Sequence, residues 1–137
     1  MRQFMITLLL MLAVTASAQD SAKINERYFQ AKVRELALRL EMTDSQKNRF
    51  VPIYRRYSEE MRAVAGVRQR RSKPLADEER LELTKRKMQR QQQAHAIRMR
   101  YVDEFATVLS AVQVSRFFEV ESEIQNKLMR RRSRINR

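Results

Sequence analysis

Residues 43–57, TDSQKNRFVPIYRRY, contain both the start of a helix and most of its apolar face. Thr43 suits the N-cap position, where its hydroxyl accepts a hydrogen bond from the backbone amide of Gln46. The Gln46 side chain can reach back to the Thr43 amide, which completes a capping box. Steps of three and four residues then relate the apolar side chains, namely Phe50, Ile53, Tyr54, Tyr57, Met61 and Val64. The stretch predicts an amphipathic helix over about 44–66 or longer.

The same opening recurs in the second half of the chain, at residues 109–113, LSAVQ. Ser110 supplies the N-cap hydroxyl and Gln113 the returning amide of a second capping box. The residues that follow on one helical face are apolar, and they are Val114, Phe117, Ile124 and Leu128. A final helix is therefore predicted over about 111–132.

Two more amphipathic helices are predicted, over about 24–41 and 77–109. The expected buried stripe of the first is Ile24, Tyr28, Ala31, Leu36 and Leu40. That of the second is Leu81, Thr84, Met88, Val102, Phe105 and Leu109, with a polar stretch in the middle. The chain has one Gly and two Pro, too few for the frequent turns of a β-sandwich or an α/β fold. The sequence thus predicts an all-α fold of four helices.

The N-terminus is typical of a signal peptide. Arg2 precedes an apolar run at 4–14, and Ala16-Ser17-Ala18 gives the small residues of a cleavage site. The run is well short of the roughly 20 residues of a membrane-spanning helix. Residues 1–18 are predicted to be removed on export, leaving 19–137 as a single helical domain, soluble in the periplasm. The chain has no Cys, so no disulfide supports that domain.

The two openings, MTDSQ at 42–46 and LSAVQ at 109–113, resemble the LTxxQ repeat of the Spy/CpxP family of periplasmic chaperones and stress proteins. Met replaces the usual Leu in the first and Ser replaces Thr in the second. The segment FVPIYRRY at 50–57 is similar to a Bacteroidetes-like branch of that family. The resemblance implies a long bent antiparallel helical hairpin with flanking helices. It further implies an intertwined homodimer that holds unfolded proteins without ATP.

The sequence contains few of the residues that a catalytic site or a metal site needs. One His and no Cys argue against nucleophilic catalysis, and one Gly argues against a phosphate-binding loop. We predict that the protein is not an enzyme and uses no cofactor. His95 and Met99 lie one helical turn apart and are weak candidates for a metal site. A single His with a thioether is a poor ligand set for zinc, so no metal is expected.

The chain is strongly basic, with a net charge of +13. The cations that are candidates for binding anions or client proteins form two clusters, Arg68, Arg70, Arg71 and Lys73, and Arg130, Arg131 and Arg132 in a basic tail that begins at about 130. Met88 and Met99 are candidates for apolar contacts with clients, because Met adapts to varied surfaces. The tail could equally be a solvated charge run.

The predicted export determines which partners such a basic chain can meet. Nucleic acid is not expected outside the cytoplasm, whereas acidic or unfolded client proteins and the anionic lipid surface of the envelope are. The favoured interpretation is an ATP-independent periplasmic chaperone or envelope-stress protein. The alternative is a periplasmic sensor or regulatory partner of an envelope signalling protein, similar to heavy-metal-sensing relatives of the family.

Overall fold

The computed structural model describes residues 23–66 and 76–135, apart from the side chains at 128, 129 and 131–135. These ranges contain four helices and no strand: α1 over 23–39, α2 over Asp44–Ala65, α3 over Asp77–Ala106 and α4 over Ala111–Ile135. The predicted all-α class is confirmed. The predicted signal peptide, residues 1–18, lies outside the described residues. None of the helices in the described ranges is long and apolar enough to cross a membrane.

The contacts divide the chain into two compact units, and the larger comprises Leu40–Glu119. Its core is aromatic. The fully buried rings are Phe50, Tyr54 and Tyr57 of α2, Tyr101 and Phe105 of α3, and Phe117 of α4. The centroids of Phe105 and Phe117 are 4.5 Å apart, and those of Tyr57 and Tyr101 are 5.3 Å apart. Tilted and edge-on ring pairs of this kind stabilise a core by about 0.5–1.5 kcal/mol each beyond the area that they bury.

Helices α2 and α3 pack side by side in this unit and run antiparallel. Arg49 near the start of α2 bonds to the Thr107 carbonyl just after α3, whereas Glu60 late in α2 meets Arg100. A residue later in α2 thus pairs with a residue earlier in α3, as it does in antiparallel helices. Gly66, which caps α2 with a φ of 66°, lies beside the Arg90 side chain. The first turns of α3, before Arg90, thus extend past the end of α2.

The smaller unit contains α1 and the part of α4 from Val120 onwards. Its buried side chains are Phe29, Val33 and Leu36 from α1 and Val120 and Ile124 from α4. Arg39 forms an ion pair of 2.6 Å with Glu123, and Lys32 donates to Gln125 at 2.9 Å. These cross-links show that the two segments also run antiparallel.

The predicted stripes of two helices are partly wrong. In α1 the structure exposes Ile24 and Tyr28 and buries Phe29 and Val33, because apolar residues lie on more than one side of this helix. In α3 it exposes Leu81 and Met88 and buries Tyr101 beside Phe105. The stripe of α2 is as predicted: its core positions are buried and Ile53, Met61 and Val64 are half-buried.

Candidate functional site

The two capping boxes meet in the larger unit. The Thr43 hydroxyl accepts from the Gln46 amide at 3.2 Å, and the Gln46 side-chain carbonyl accepts from the Thr43 amide at 3.1 Å. Ser110 and Gln113 form the same pair of bonds, at 3.2 and 2.9 Å. Each box satisfies two backbone donors at a helix start that no intrahelical carbonyl can reach.

The glutamines of the two boxes, 67 residues apart in sequence, also bond to each other. Gln46 Nε2 donates to Gln113 Oε1 at 2.9 Å, and Gln113 Nε2 donates to Gln46 Oε1 at 3.4 Å and to the Leu40 carbonyl at 2.9 Å. Both side chains are half-buried. We call this group, Thr43, Gln46, Ser110 and Gln113, the glutamine clasp. It fixes the start of α2 against the start of α4.

Charged pairs align α2 with α3. Arg56 and Glu104 are 2.7 Å apart, and Arg100 pairs with Glu60. Glu60 also accepts a hydrogen bond of 2.8 Å from the Tyr101 hydroxyl. Burial raises the pKa of Tyr101 above its ordinary value of 10.0, and the bond to Glu60 raises that pKa further. The raised pKa keeps Tyr101 a neutral phenol further into the alkaline range than an exposed tyrosine.

A second face of α3 carries large apolar side chains that no described residue covers. Leu81, Met88 and Met99 are 58%, 63% and 59% exposed. At about 100° per residue they fall within about 20° of one another around the helix, because 18 residues make five turns. The buried Tyr101 and Phe105 lie roughly 140° away. We call Leu81, Met88 and Met99 the outer row.

The segment of α3 that carries most of the outer row is purely cationic. Between Leu83 and Val102 there is no Asp or Glu, and the cations there are Lys85, Arg86, Lys87, Arg90, Arg98 and Arg100. Lys85 pairs with Glu82 and Arg100 with Glu60. The other four make no ion pair within residues 23–66 and 76–135. Their charge is therefore available to an anionic partner.

The other predicted site residues lie apart from these features or outside the described residues. Arg68, Arg70, Arg71 and Lys73 fall in 67–75, outside the described ranges, as do the side chains of Arg131 and Arg132. Arg130 is described and exposed at the end of α4. His95 is exposed on α3, one turn before Met99. Within the described residues no three His, Cys, Asp or Glu side chains group as metal ligands would.

Sequence reasoning missed Leu81 as a site residue, because it assigned Leu81 to the buried stripe of α3. The signal was present in the spacing, since residues 81, 88 and 99 differ by seven and eleven and so share a face. The same stripe left out Tyr101 and Ile97, which face the core side. A stripe of Leu83, Ala94, Ile97, Tyr101 and Phe105 also has helical spacing, and it is the one that the structure turns inwards.

The comparisons with known proteins returned nothing: no protein-family model, curated protein or solved structure matches the chain.

Proposed function

We propose that this protein is a periplasmic, ATP-independent chaperone that binds unfolded or acidic polypeptides through the outer row of α3. One observation carries the proposal: three large apolar side chains are more than half exposed along one line of α3, and around two of them, Met88 and Met99, the helix carries cations and no carboxylate from Leu83 to Val102. Side chains that share one line of a helix can contact the same bound segment.

Electrostatic attraction would capture a client from a distance, and apolar contact would then hold it. Removal of residues 1–18 takes away one cation, Arg2, so the exported chain would carry a net charge of 13 − 1 = +12. That charge attracts acidic chains over a distance set by ionic screening, about 8–10 Å near physiological salt. Contact with the outer row then removes apolar surface from water, worth about 25 cal/mol per Å². Met88 and Met99 suit clients of varied sequence, because an unbranched thioether adapts its shape at little cost. No nucleotide is needed for either step.

The resemblance to the Spy/CpxP family leads to the same proposal from separate residues, those of the glutamine clasp. In this proposal the clasp positions α2 and α4, and the outer row makes the contacts with clients. The two features lie on different parts of the larger unit's sequence, so substitutions can test them separately.

The decisive experiment measures aggregation of an acidic client with and without the purified protein. Leu81→Gln/Met88→Gln/Met99→Gln removes the apolar surface while keeping a residue with good helix propensity. The matched control is Ile24→Gln/Leu38→Gln/Val112→Gln, which changes three other exposed apolar residues, 52%, 75% and 67% exposed. We expect the wild type and the control to suppress aggregation and the outer-row variant to lose most of the effect.

Salt provides a second check on the same assay. Raising the ionic strength from about 0.1 M to 1 M shortens the Debye length from about 10 to 3 Å, so suppression should weaken. A wild-type protein that leaves aggregation unchanged at every ionic strength and molar ratio would rule out the chaperone function. If the outer-row variant suppresses aggregation as well as the wild type does, another part of the protein contacts the client.

A further inference from the structure

One face of α1 carries apolar side chains that no described residue covers. Ile24, Tyr28 and Leu38 are 52%, 58% and 75% exposed, and Ala31 between them is exposed as well. At about 100° per residue these four side chains fall within about 80° of one another, over about 21 Å of the helix axis. We call Ile24, Tyr28, Ala31 and Leu38 the α1 row. Roughly 150° around the helix lie the residues that α1 buries, namely Phe29, Val33 and Leu36.

Cations line both edges of the α1 row. Arg27 and Arg34 lie about 20° and 40° beyond one edge, and Arg39 and Lys32 lie about 20° and 40° beyond the other. The first two are exposed and make no ion pair within the described residues. The second two bond to α4, where Arg39 pairs with Glu123 and Lys32 donates to a glutamine.

Only one carboxylate of α1 lies on this side of the helix. Glu35 falls within the span of the α1 row and is half-buried, whereas Glu26 lies about 160° around the helix from Ile24. With Arg39 counted as neutralised by Glu123, three cations still outweigh one carboxylate here. The face is therefore apolar along its middle and positive along its edges, and an anionic partner complements it.

This distribution of charge separates the possible partners. A second copy of the chain laid along the α1 row, in either direction, would set cationic edges against cationic edges, and like charges repel. An acidic protein would need a line of carboxylates on each side of an apolar groove. A bilayer with anionic headgroups surrounds an interfacial helix and meets both edges at once. Arg and Lys can then keep their charged ends at the phosphates while the apolar side chains enter the acyl boundary.

We infer that α1 docks on an anionic lipid surface through the α1 row, with Arg27 and Arg34 at the headgroup phosphates. The inference goes beyond the proposed function, because it uses none of the residues of the outer row on α3. The apolar row is short and the cations are few, so binding should be reversible. It should increase with the fraction of anionic lipid and weaken as salt screens the cations.

A single tryptophan can report which part of the protein meets the lipid, because the chain has no Trp of its own. Tyr28→Trp places the reporter in the α1 row, and Val112→Trp places it at an exposed position of α4. The exported chain, 19–137, contains all four helices and is mixed with vesicles of phosphatidylcholine, with or without phosphatidylglycerol. We expect the emission of Tyr28→Trp to shift to the blue only when phosphatidylglycerol is present. That of Val112→Trp should stay unchanged.

Co-sedimentation with the same vesicles measures the contribution of the apolar side chains. Ile24→Gln/Leu38→Gln should weaken binding about tenfold, because it removes two of the large side chains that would leave water. Leu81→Gln/Met88→Gln is the matched control, since it changes two α3 residues of similar exposure, and it should bind as the wild type does. Gln keeps good helix propensity, so circular dichroism should show the same helix content in all of these proteins.

The contribution of charge is measured in the same way. Arg27→Gln/Arg34→Gln should weaken binding at least about tenfold, because each cation near an anionic surface adds to the attraction. Arg62→Gln/Lys127→Gln lowers the net charge equally at exposed positions elsewhere and should weaken binding much less. Glu35→Gln should strengthen binding several-fold, because it removes the one carboxylate of this face.

Several results would overturn the inference. Sedimentation with vesicles but no blue shift of Tyr28→Trp would show that another part of the protein binds lipid, and equal binding to pure phosphatidylcholine would remove the role of charge. A blue shift with polyglutamate and none with vesicles would assign the face to an acidic protein. A blue shift on concentrating the protein alone would assign it to a second copy. Because the aggregation assay contains no lipid, the lipid surface and the chaperone function can fail independently.

Discussion

The side chain of Gln113 makes four hydrogen bonds. Its carbonyl oxygen accepts from the Ser110 amide and from Gln46, and its amide donates to the Leu40 carbonyl and to Gln46. Leu40 follows directly on α1, where the last carbonyls of a helix lack intrahelical partners. One side chain thus satisfies a backbone donor at the start of α4 and the Leu40 carbonyl, and it bonds to the other capping box.

Gln113→Ala should destabilise the protein by about 2 kcal/mol. The substitution removes several half-buried bonds worth roughly 1 kcal/mol each, and water can reach some of the groups that it leaves behind. The measurement is the free energy of unfolding from urea titration followed by circular dichroism. Gln92→Ala, on the exposed middle of α3, is the control and should change stability by less than about 0.5 kcal/mol.

If Gln113→Ala and Gln92→Ala have the same free energy of unfolding, water replaces the hydrogen bonds of the glutamine clasp with no loss of stability. Gln46→Ala offers an internal comparison. Gln46 makes no bond to the Leu40 carbonyl, so its loss should cost less than that of Gln113.

Three phenols are buried where α2 packs with α3, those of Tyr54, Tyr57 and Tyr101. Tyr101 is 2% exposed and donates to Glu60, which also holds Arg100. The ion pairs around it, such as Arg56 with Glu104, are largely exposed and contribute little by themselves. The Tyr101 phenol is therefore one titratable group through which alkaline pH acts on this hairpin.

Alkaline pH should loosen the α2–α3 pair through Tyr101. Its pKa is raised in the folded protein, so the neutral form stabilises the fold below pH 10 or so and that contribution is lost as the pH rises through the raised pKa. Tyr101→Phe cannot ionise, and its melting temperature should fall less between about pH 9 and 11 than that of the wild type.

Near neutral pH the same variant should be less stable by about 1 kcal/mol, because one hydrogen bond to Glu60 is missing. Tyr28→Phe is the control, since Tyr28 is exposed on α1. Parallel melting curves for wild type and Tyr101→Phe across the alkaline range would show that Tyr101 does not govern the pH dependence.

At the scale of the whole molecule, the question is whether net charge or its local arrangement attracts clients. The net charge of +13 comes from cations and carboxylates along the whole chain, while the stretch from Leu83 to Val102 concentrates cations without any carboxylate. Screening separates the two contributions, because the Debye length is about 30 Å at 0.01 M salt and about 8 Å at 0.15 M.

Two variants with the same net charge test this. One changes Arg86, Lys87, Arg90 and Arg98 to Gln, and the other changes the exposed Lys23, Arg27, Arg62 and Lys127 to Gln. At about 0.01 M salt both should slow association with an acidic client to a similar degree. At about 0.15 M only the α3 variant should be slower, by several-fold, as measured by stopped-flow fluorescence. Matching rates for the two variants at the higher salt would show that local arrangement does not matter.

The sequence by itself determined the class of fold and the places where helices begin. Hydroxyl and glutamine three residues apart act locally, so Thr43 with Gln46 and Ser110 with Gln113 indicate helix starts whatever surrounds them. The scarcity of Gly and Pro excluded turn-rich folds for the same local reason. The four predicted helices agree with the structure to within a few residues at each described end.

Only the tertiary structure decided which face of a helix is buried. In α1 and α3 apolar residues occupy two faces, and periodicity fits either one. Burial depends on the partner helix: α3 turns Tyr101 towards Tyr57 of α2 and Phe105 towards Phe117 of α4, because those rings pack against each other. Leu81, Met88 and Met99 are left outside as a consequence. The meeting of Gln46 with Gln113 likewise depends on how α2 and α4 approach each other, which no local pattern contains.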